Sequence, residues 1–273
     1  MNPPEPKSGV GHETPLVDLG PIIKQMRRGF RRDVAELVAV LDEAVLYIAL
    51  RQPIDGIEVG QVVDAADADV NVSPHLLANE QGIGVVPLFS DPDILRSVGQ
   101  HAHWTTGDSD DLDYCTLPAR AALDLALQLV DGERIGAAVI NPADEFELLL
   151  QRHELGAIVQ GKAIPLVGYV SAIAVDPSEA VLKAEPLGAV DPRLSAAIAA
   201  TIKDVVGVMG YRIEQSFNPE RDLEPHPVLL LEISTEADFD RDELGQRVFA
   251  AIDGLLPEPG YIDVLFESHS EPN

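Results

Sequence analysis

Ile83-Gly84-Val85-Val86-Pro87-Leu88-Phe89-Ser90-Asp91-Pro92 decides the reading of the first half of this chain. The apolar run from Ile83 to Phe89 has the length and residue types of a buried strand. Pro87 donates no ladder hydrogen bond, so it belongs at a sheet edge or near the strand's end. Asp91 and Pro92 then read as a helix start, with Asp as N-cap and Pro at the first helical position. Further on, Ile135 to Ile140 reads as a second strand. Asn141-Pro142-Ala143-Asp144 follows with the composition of a type I turn, and Phe146 to Leu150 returns as a hairpin partner. Between the two strands, Ala122, Leu125, Ala126 and Leu129 form the apolar stripe of a helix that Gly132 is placed to stop.

Working outward, Val34, Leu37, Val38 and Leu41 fall on one face of a helix predicted over Asp33–Ala44. Val45 to Leu50 reads as a buried strand ended by Gln52-Pro53. Residues 55–80 are polar, with Asp64, Asp67 and Asp69 close together and a short strand expected around Ile57–Val63. Gln100 to Leu117 reads as a polar loop with a short strand near His103-Trp104. Residues 1–14, rich in Pro, Gly and polar residues, read as a disordered tail. Residues 15–160 are therefore expected to form a mixed α+β domain.

Residues 161–273 are expected to form a second domain. Leu166 to Val175 reads as strand. Asp191-Pro192 repeats the cap-plus-proline helix start, and Leu194, Ala197, Ile198, Ile202 and Val205 supply that helix's buried face. Gly210–Phe217 and Val228–Ile233 read as strands, Asp240–Leu255 as a helix, and Tyr261–Phe266 as the closing strand. Strand, helix, strand, strand, helix, strand is the order of the ferredoxin-like βαββαβ motif. The fold class expected is α+β in two domains, the second ferredoxin-like. That motif hosts many unrelated activities and points to no chemistry by itself.

The 273 residues carry a net charge of −27, with 46% apolar and 24% charged residues. The charge is uneven: residues 1–32 sum to +3, residues 33–162 to −17 and residues 163–273 to −13. A field of that sign repels phosphate backbones and anionic lipid. Nucleic acid and membranes are thus not expected as partners, whereas another protein with a basic surface is. The one basic cluster, Lys24 to Arg32, either folds onto the protein's own acidic body and leads into the next helix, or lies on an anionic surface. Cys115 is the single cysteine, so no intrachain disulfide forms. The N-terminus lacks a signal-peptide pattern, and no run approaches the ~18 apolar residues of a membrane span. A cytoplasmic protein is expected.

In the order Leu46-Tyr47-Ile48, then Pro87-Leu88-Phe89-Ser90-Asp91, then Ile140-Asn141-Pro142, the chain resembles the SseB (enhanced serine sensitivity) family of bacterial proteins. The likeness runs from about residue 33 to 267. Its second half rests on the strand-helix order and the closing Ile262-Asp263-Val264. Ser90 stands where that family often has Thr. The resemblance implies SseB-like N-terminal and C-terminal domains, a phenotype of serine sensitivity, and no established reaction.

Most motif residues read first as structure: Phe89 as core, Asp91 as helix cap, Asn141 and Pro142 as turn. The ends of the two strands nonetheless promise a shared crevice, a usual place for a site. Phe89, Asp91, Asn141 and Trp104, which either caps a core edge or anchors a partner, are the candidate binding residues. The expected function is protein binding through an acidic surface, without catalysis or cofactor. The competing reading is a metal-dependent enzyme or metal-binding protein at His101, His103 and Cys115. It requires that His101 and His103 lie on a strand, where alternate residues point the same way. Asp108, Asp110, Asp111 and Asp113 lie nearby, but the run lacks the glycine and glutamate of an EF-hand loop. Gly107-Asp108-Ser109 lacks the partners of a hydrolase triad.

Overall fold

The computed structural model describes residues 17–26, 29–63, 72–78, 82–104, 112–130, 135–166, 182–183, 190–235, 239–252 and 254–269. The architecture is α+β, and the chain divides into two units. The first takes the described residues of Met1–Gln25 and Leu37–Val159, the second those of Met26–Glu36 and Gln160–Asn273. The segment 26–36, assigned from sequence to the first domain, thus groups with the second. Backbone pairing explains this: Leu166 N–H donates to the Gly29 carbonyl at 3.0 Å, and Arg31 Nε donates to the Ala163 carbonyl at 2.7 Å. The expected tail 1–14, Asp64, Asp67, Asp69, Asp108, Asp110, Asp111 and the strand beyond Leu166 lie outside the described residues.

In the first unit, α1 (Leu19–Gln25), β1 (Val45–Ala49), β2 (Leu77–Ala78), β3 (Gly84–Leu88), α3 (Pro92–His101), β4 (Tyr114–Pro118), α4 (Ala119–Val130), β5 (Ile135–Ile140), β6 (Leu148–Gln151) and α5 (Arg152–Val159) follow in order. Helix α2 (Arg31–Val40) lies across the division of the chain. A four-stranded sheet has the order β2-β3-β5-β6, with β3 and β5 parallel and the outer pairs antiparallel. β1 pairs antiparallel with β4. Tyr47 and Phe89 exchange two backbone hydrogen bonds, at 2.8 and 3.0 Å, so this ribbon is tied to the end of β3.

Pro87 is accommodated inside the sheet because β2 pairs only as far as Val85. Beyond Val85 no β2 residue asks for a donor from β3. The small residues Ala119, Ala122 and Ala126, with Leu123 and Val130, give α4 a buried face of helix formers. Arg120 pairs with the Asp42 carboxylate and donates from Nη1 to the Val159 carbonyl at 2.8 Å, closing the end of α5 against the start of α4.

Two short strands expected from the sequence are absent in this unit. Residues 57–63 make no strand, only an isolated bridge from Val62 to Thr116. His103-Trp104 is not a strand either. The apolar spacing of Ile94, Leu95 and Val98 carries α3 through His101, and a turn follows.

The second unit contains the start of α2, β7 (Leu182–Lys183), α6 (Pro192–Ile202), β8 (Val208–Phe217), β9 (His226–Ser234), α7 (Arg241–Ile252) and β10 (Asp263–His269). The element order is the expected one, but the sheet order is β10-β9-β8-β7. β9 and β10 lie side by side and parallel, whereas a ferredoxin-like sheet inserts a strand between its parallel pair. The turn between β8 and β9 and the α7 crossover from β9 to β10 join neighbours, so the strands stand in sequence order. Leu194, Ile198 and Ile202 of α6 and Leu244, Val248 and Ile252 of α7 pack with Leu229, Leu231 and Ile262 into one core.

Phe89 is fully buried, with Ala49, Leu95, Trp104 and Leu112 around it. Phe89→Ala is expected to cost about 3–5 kcal/mol, seen as a lower urea midpoint. A loss under about 1 kcal/mol would contradict a packed core at the β3 end.

Candidate functional site

The chain leaves β3 and β5 at the same end of the sheet, and Asn141 joins the two exits. Its main-chain N–H donates to the Leu88 carbonyl at 2.8 Å. Its side-chain Oδ1 accepts the Ser90 N–H at 2.8 Å, and its Nδ2 donates to Ser90 Oγ at 2.9 Å. Asn141 is 3% exposed, so each of these bonds satisfies a group withdrawn from water. Its φ of +54° is a left-handed conformation that asparagine tolerates better than most residues. The turn after it is not type I as expected. Asp144 N–H bonds the Asn141 carbonyl at 3.2 Å, but Ala143 has φ +63°, the left-handed third position of a type II turn.

Ser90, Asp91, Ile94 and Asn141 line one wall of an open cleft of about 310 Å³, with Asp18, Gly20, Pro21, Lys24 and Gln25 on the other. Asp91 Oδ1 accepts the Asp93 N–H at 2.7 Å and caps α3. Asp18 Oδ1 accepts the Gly20 N–H at 2.9 Å. Lys24 Nζ stands 5.4 Å from the Phe146 ring centroid, a cation–π arrangement. Tyr47 lies close by. Burial raises its hydroxyl pKa, and Tyr114, Asp91 and Asp18 raise it further. The two aspartates thus bring their charges together at one place, while their oxygens hold the backbone of two helix starts.

Of the four sequence-predicted binding residues, Asp91 and Asn141 meet at this cleft. Phe89 does not reach it, because its side chain is fully enclosed in the core. Trp104 is elsewhere and only 8% exposed. Its ring stacks on His75 at 4.9 Å, with planes 10° apart, so it caps a core edge and presents little to a partner. Burial, with Arg51 nearby, lowers the His75 pKa. Nothing in the sequence signalled that Asp18, Lys24 and Tyr47 would stand near Asp91 and Asn141, because each lies more than 40 residues from both along the chain. A lone Asp before a short helix carries no signal of what faces it.

The residues of the metal reading do not converge. His101 ends α3 with Nδ1 2.7 Å from the Ser97 carbonyl, and His103 occupies a left-handed turn at φ +56°. Strand alternation therefore does not apply to them. Cys115 is buried in β4 opposite Ile48, and burial pushes its thiol up to about 11, which disfavours the thiolate that binds metal. Among the described residues, no group of three or more His, Cys, Asp and Glu is arranged to hold a metal ion.

The second unit holds a buried polar cluster that no sequence motif announced. His226 Nε2 is 3.0 Å from Asp263 Oδ2, and Nδ1 is 3.5 Å from Asp222 Oδ2. The imidazole and Tyr261 ring centroids are 4.6 Å apart, and the Arg31 guanidinium lies 5.5 Å from the Tyr261 centroid. Arg31 is 11% exposed at its side chain and pairs with Glu224 at 2.7 Å. Of the basic cluster, Arg31 therefore folds onto the acidic body and opens α2, while Arg27 and Arg28 lie outside the described residues. Asp222 accepts the Asn218 N–H at 2.7 Å, yet burial still raises its carboxyl pKa above 3.8.

The model of the SseB protein N-terminal domain matches residues 27–157. That span contains the β3 and β5 motifs, their Asn141 clamp and one wall of the cleft. Residues 27–157 are thus similar to the SseB N-terminal domain. Comparison with curated proteins and with solved structures finds no match. Among the described residues, no helix is long and apolar enough to cross a membrane.

Two predictions test these arrangements. Asn141→Gly and Asn141→Ala both strand the buried Ser90 N–H, at a cost of about 1–3 kcal/mol. Asn141→Ala should lose about 1 kcal/mol more, because alanine resists the left-handed backbone. Equal urea midpoints for the two variants would refute the strained clamp. For Asp222 the folded pKa lies above the unfolded one. The folded chain therefore binds more protons from 3.8 upward to the raised value, and this group's contribution to stability falls as pH rises through that window. Asp222→Asn removes that slope. Its stability relative to the parent should climb with pH in urea titrations from about pH 4 upward. A difference that is flat or falls would reverse the assignment.

Proposed function

We propose that this protein is a non-enzymatic binding protein of the cytoplasm, and that its N-terminal cleft receives a cationic side chain of a partner protein. One observation carries the reading: Asp18 and Asp91 face the same open cleft at the joined ends of β3 and β5. The polar groups there are committed to architecture. Asp18 and Asp91 hold helix-start N–H groups, and Ser90 Oγ accepts from Asn141. Such a site is rigid before it binds, so little ordering cost opposes association. Two carboxylates that line an open cleft favour a guanidinium or ammonium group, and Lys24 Nζ lies over the Phe146 ring. The surplus of acid over the whole chain steers a basic partner toward it, an attraction that salt weakens. The buried free Cys115 needs no oxidising compartment.

The test uses Asp18→Asn with Asp91→Asn. Asparagine keeps an acceptor for each helix start, so the fold stays while two charges leave. Isotope-labelled protein is titrated with short peptides bearing a single Arg or Lys and with their Gln counterparts. Amide shifts at Ser90, Asp91 and Asn141 are expected with the cationic peptides alone, and the double variant should bind at least about fivefold more weakly. Equal shifts with the Gln peptides, or an unchanged affinity and salt dependence in the double variant, would sink the proposal.

A further inference from the structure

We infer that the outward face of the β8–β9–β10 sheet is a second docking surface, built for a basic segment of a partner protein. Helices α6 and α7 cover one face of this sheet, where Leu229 and Leu231 are buried and Tyr211, Ile213, Val264 and Phe266 pack against them. Side chains alternate along a strand, so the neighbours of these residues face the other way. His226 and Val228 are buried at one end of that face, and its exposed part lies around Arg212 and Leu265. The register sets them in rows. Gly210, Glu232 and Glu267 form one row, and Arg212, Leu230 and Leu265 form the next.

Arg212 gathers three carboxylates. Its Nε donates to Glu214 at 2.8 Å, its Nη1 to Glu232 at 2.9 Å, and its Nη2 to Glu267. One guanidinium thus stands among three carboxylates. Glu214 and Glu232 are 35% exposed at their side chains and Glu267 43%, so the acidic group faces solvent. The arrangement is also held in shape. A Cβ on Gly210 would come within 3.1 Å of Glu232 Oε2, so the bare glycine lets Glu232 lie across β8. Leu265, on the edge strand β10, is 47% exposed beside this acidic group.

An ordered acidic group next to an exposed leucine matches a segment that carries Lys or Arg next to an apolar side chain. The cations meet the glutamates and the apolar group covers Leu265. A second copy of this chain is a poor occupant. It would bring a matching acidic group face to face with the first. The inference is independent of the N-terminal cleft, since it uses none of its residues.

The experiment measures binding of the full chain to a panel of 12-residue peptides that pair Lys or Arg with Leu at strand and helix spacings, at low and high salt. Glu232→Gln with Glu267→Gln keeps oxygen acceptors for Arg212 while removing two charges, and should weaken the best peptide about tenfold at low salt. Leu265→Ser, at an exposed position, should weaken it about fivefold. Asp204→Asn with Glu220→Gln removes two exposed charges elsewhere in the same unit and should change affinity less than about twofold. Thermal melts confirm that each variant is folded. The inference is overturned if no peptide binds the parent chain, if the control pair weakens binding as much as the glutamate pair, or if Leu265→Ser has no effect. A dimer in sedimentation that Leu265→Ser dissolves would place a second copy on this face and overturn it as well.

Discussion

The bond set around Asn141 is the constraint on which the N-terminal unit depends. A buried amide side chain is tolerated only when its donor and acceptor are both used. Asn141 uses both on Ser90 and its own N–H on Leu88, so the two strand exits cannot separate without exposing three unsatisfied groups. With Ser90 held, Asp91 is placed to start α3, and Phe89 is turned into the core, where Leu95 of that helix meets it. The same junction meets β1 through the Tyr47–Phe89 pair. The cleft is what this junction leaves on its solvent side.

Acidic residues serve three different ends in this chain. At the cleft they accept helix-start N–H groups beside open solvent. On the sheet of the second unit they surround Arg212, and that contact strengthens the guanidinium's hold on its proton. Around His226 they are withdrawn from water, which favours the protonated form of Asp222. The net charge of −27 therefore describes no single surface. Its consequences depend on whether a carboxylate faces solvent, an arginine or the interior.

Local chemistry was legible from the residues themselves. The starts of α3 and α6 followed from Asp-Pro pairs, and both aspartates accept the expected N–H. The strands at 84–88, 135–140 and 226–234 followed from short apolar runs between breakers. Where expectation failed, a distant neighbour had overruled a local preference. Trp104 sits in a polar stretch of sequence, yet His75 and Phe89 bury it. Ala143 takes a left-handed turn position that local preference gives to glycine. Arg31 belongs to the second unit because Ala163 and Glu224 claim its guanidinium, and nothing near Arg31 in the sequence says so.

What the sequence determined by itself was the α+β class, the succession of elements, the surplus of acid and the family that residues 27–157 resemble. These depend on periodicity, capping and composition, which act over a turn or a strand. Which residues meet was settled by long-range packing. It set Asp18 beside Asp91, Arg212 among three glutamates, and His226 between two aspartates. It also laid β7 to β10 in sequence order across their sheet. Such pairings join positions far apart in the chain, and their energies arise only once packing has excluded water and brought the charges within reach.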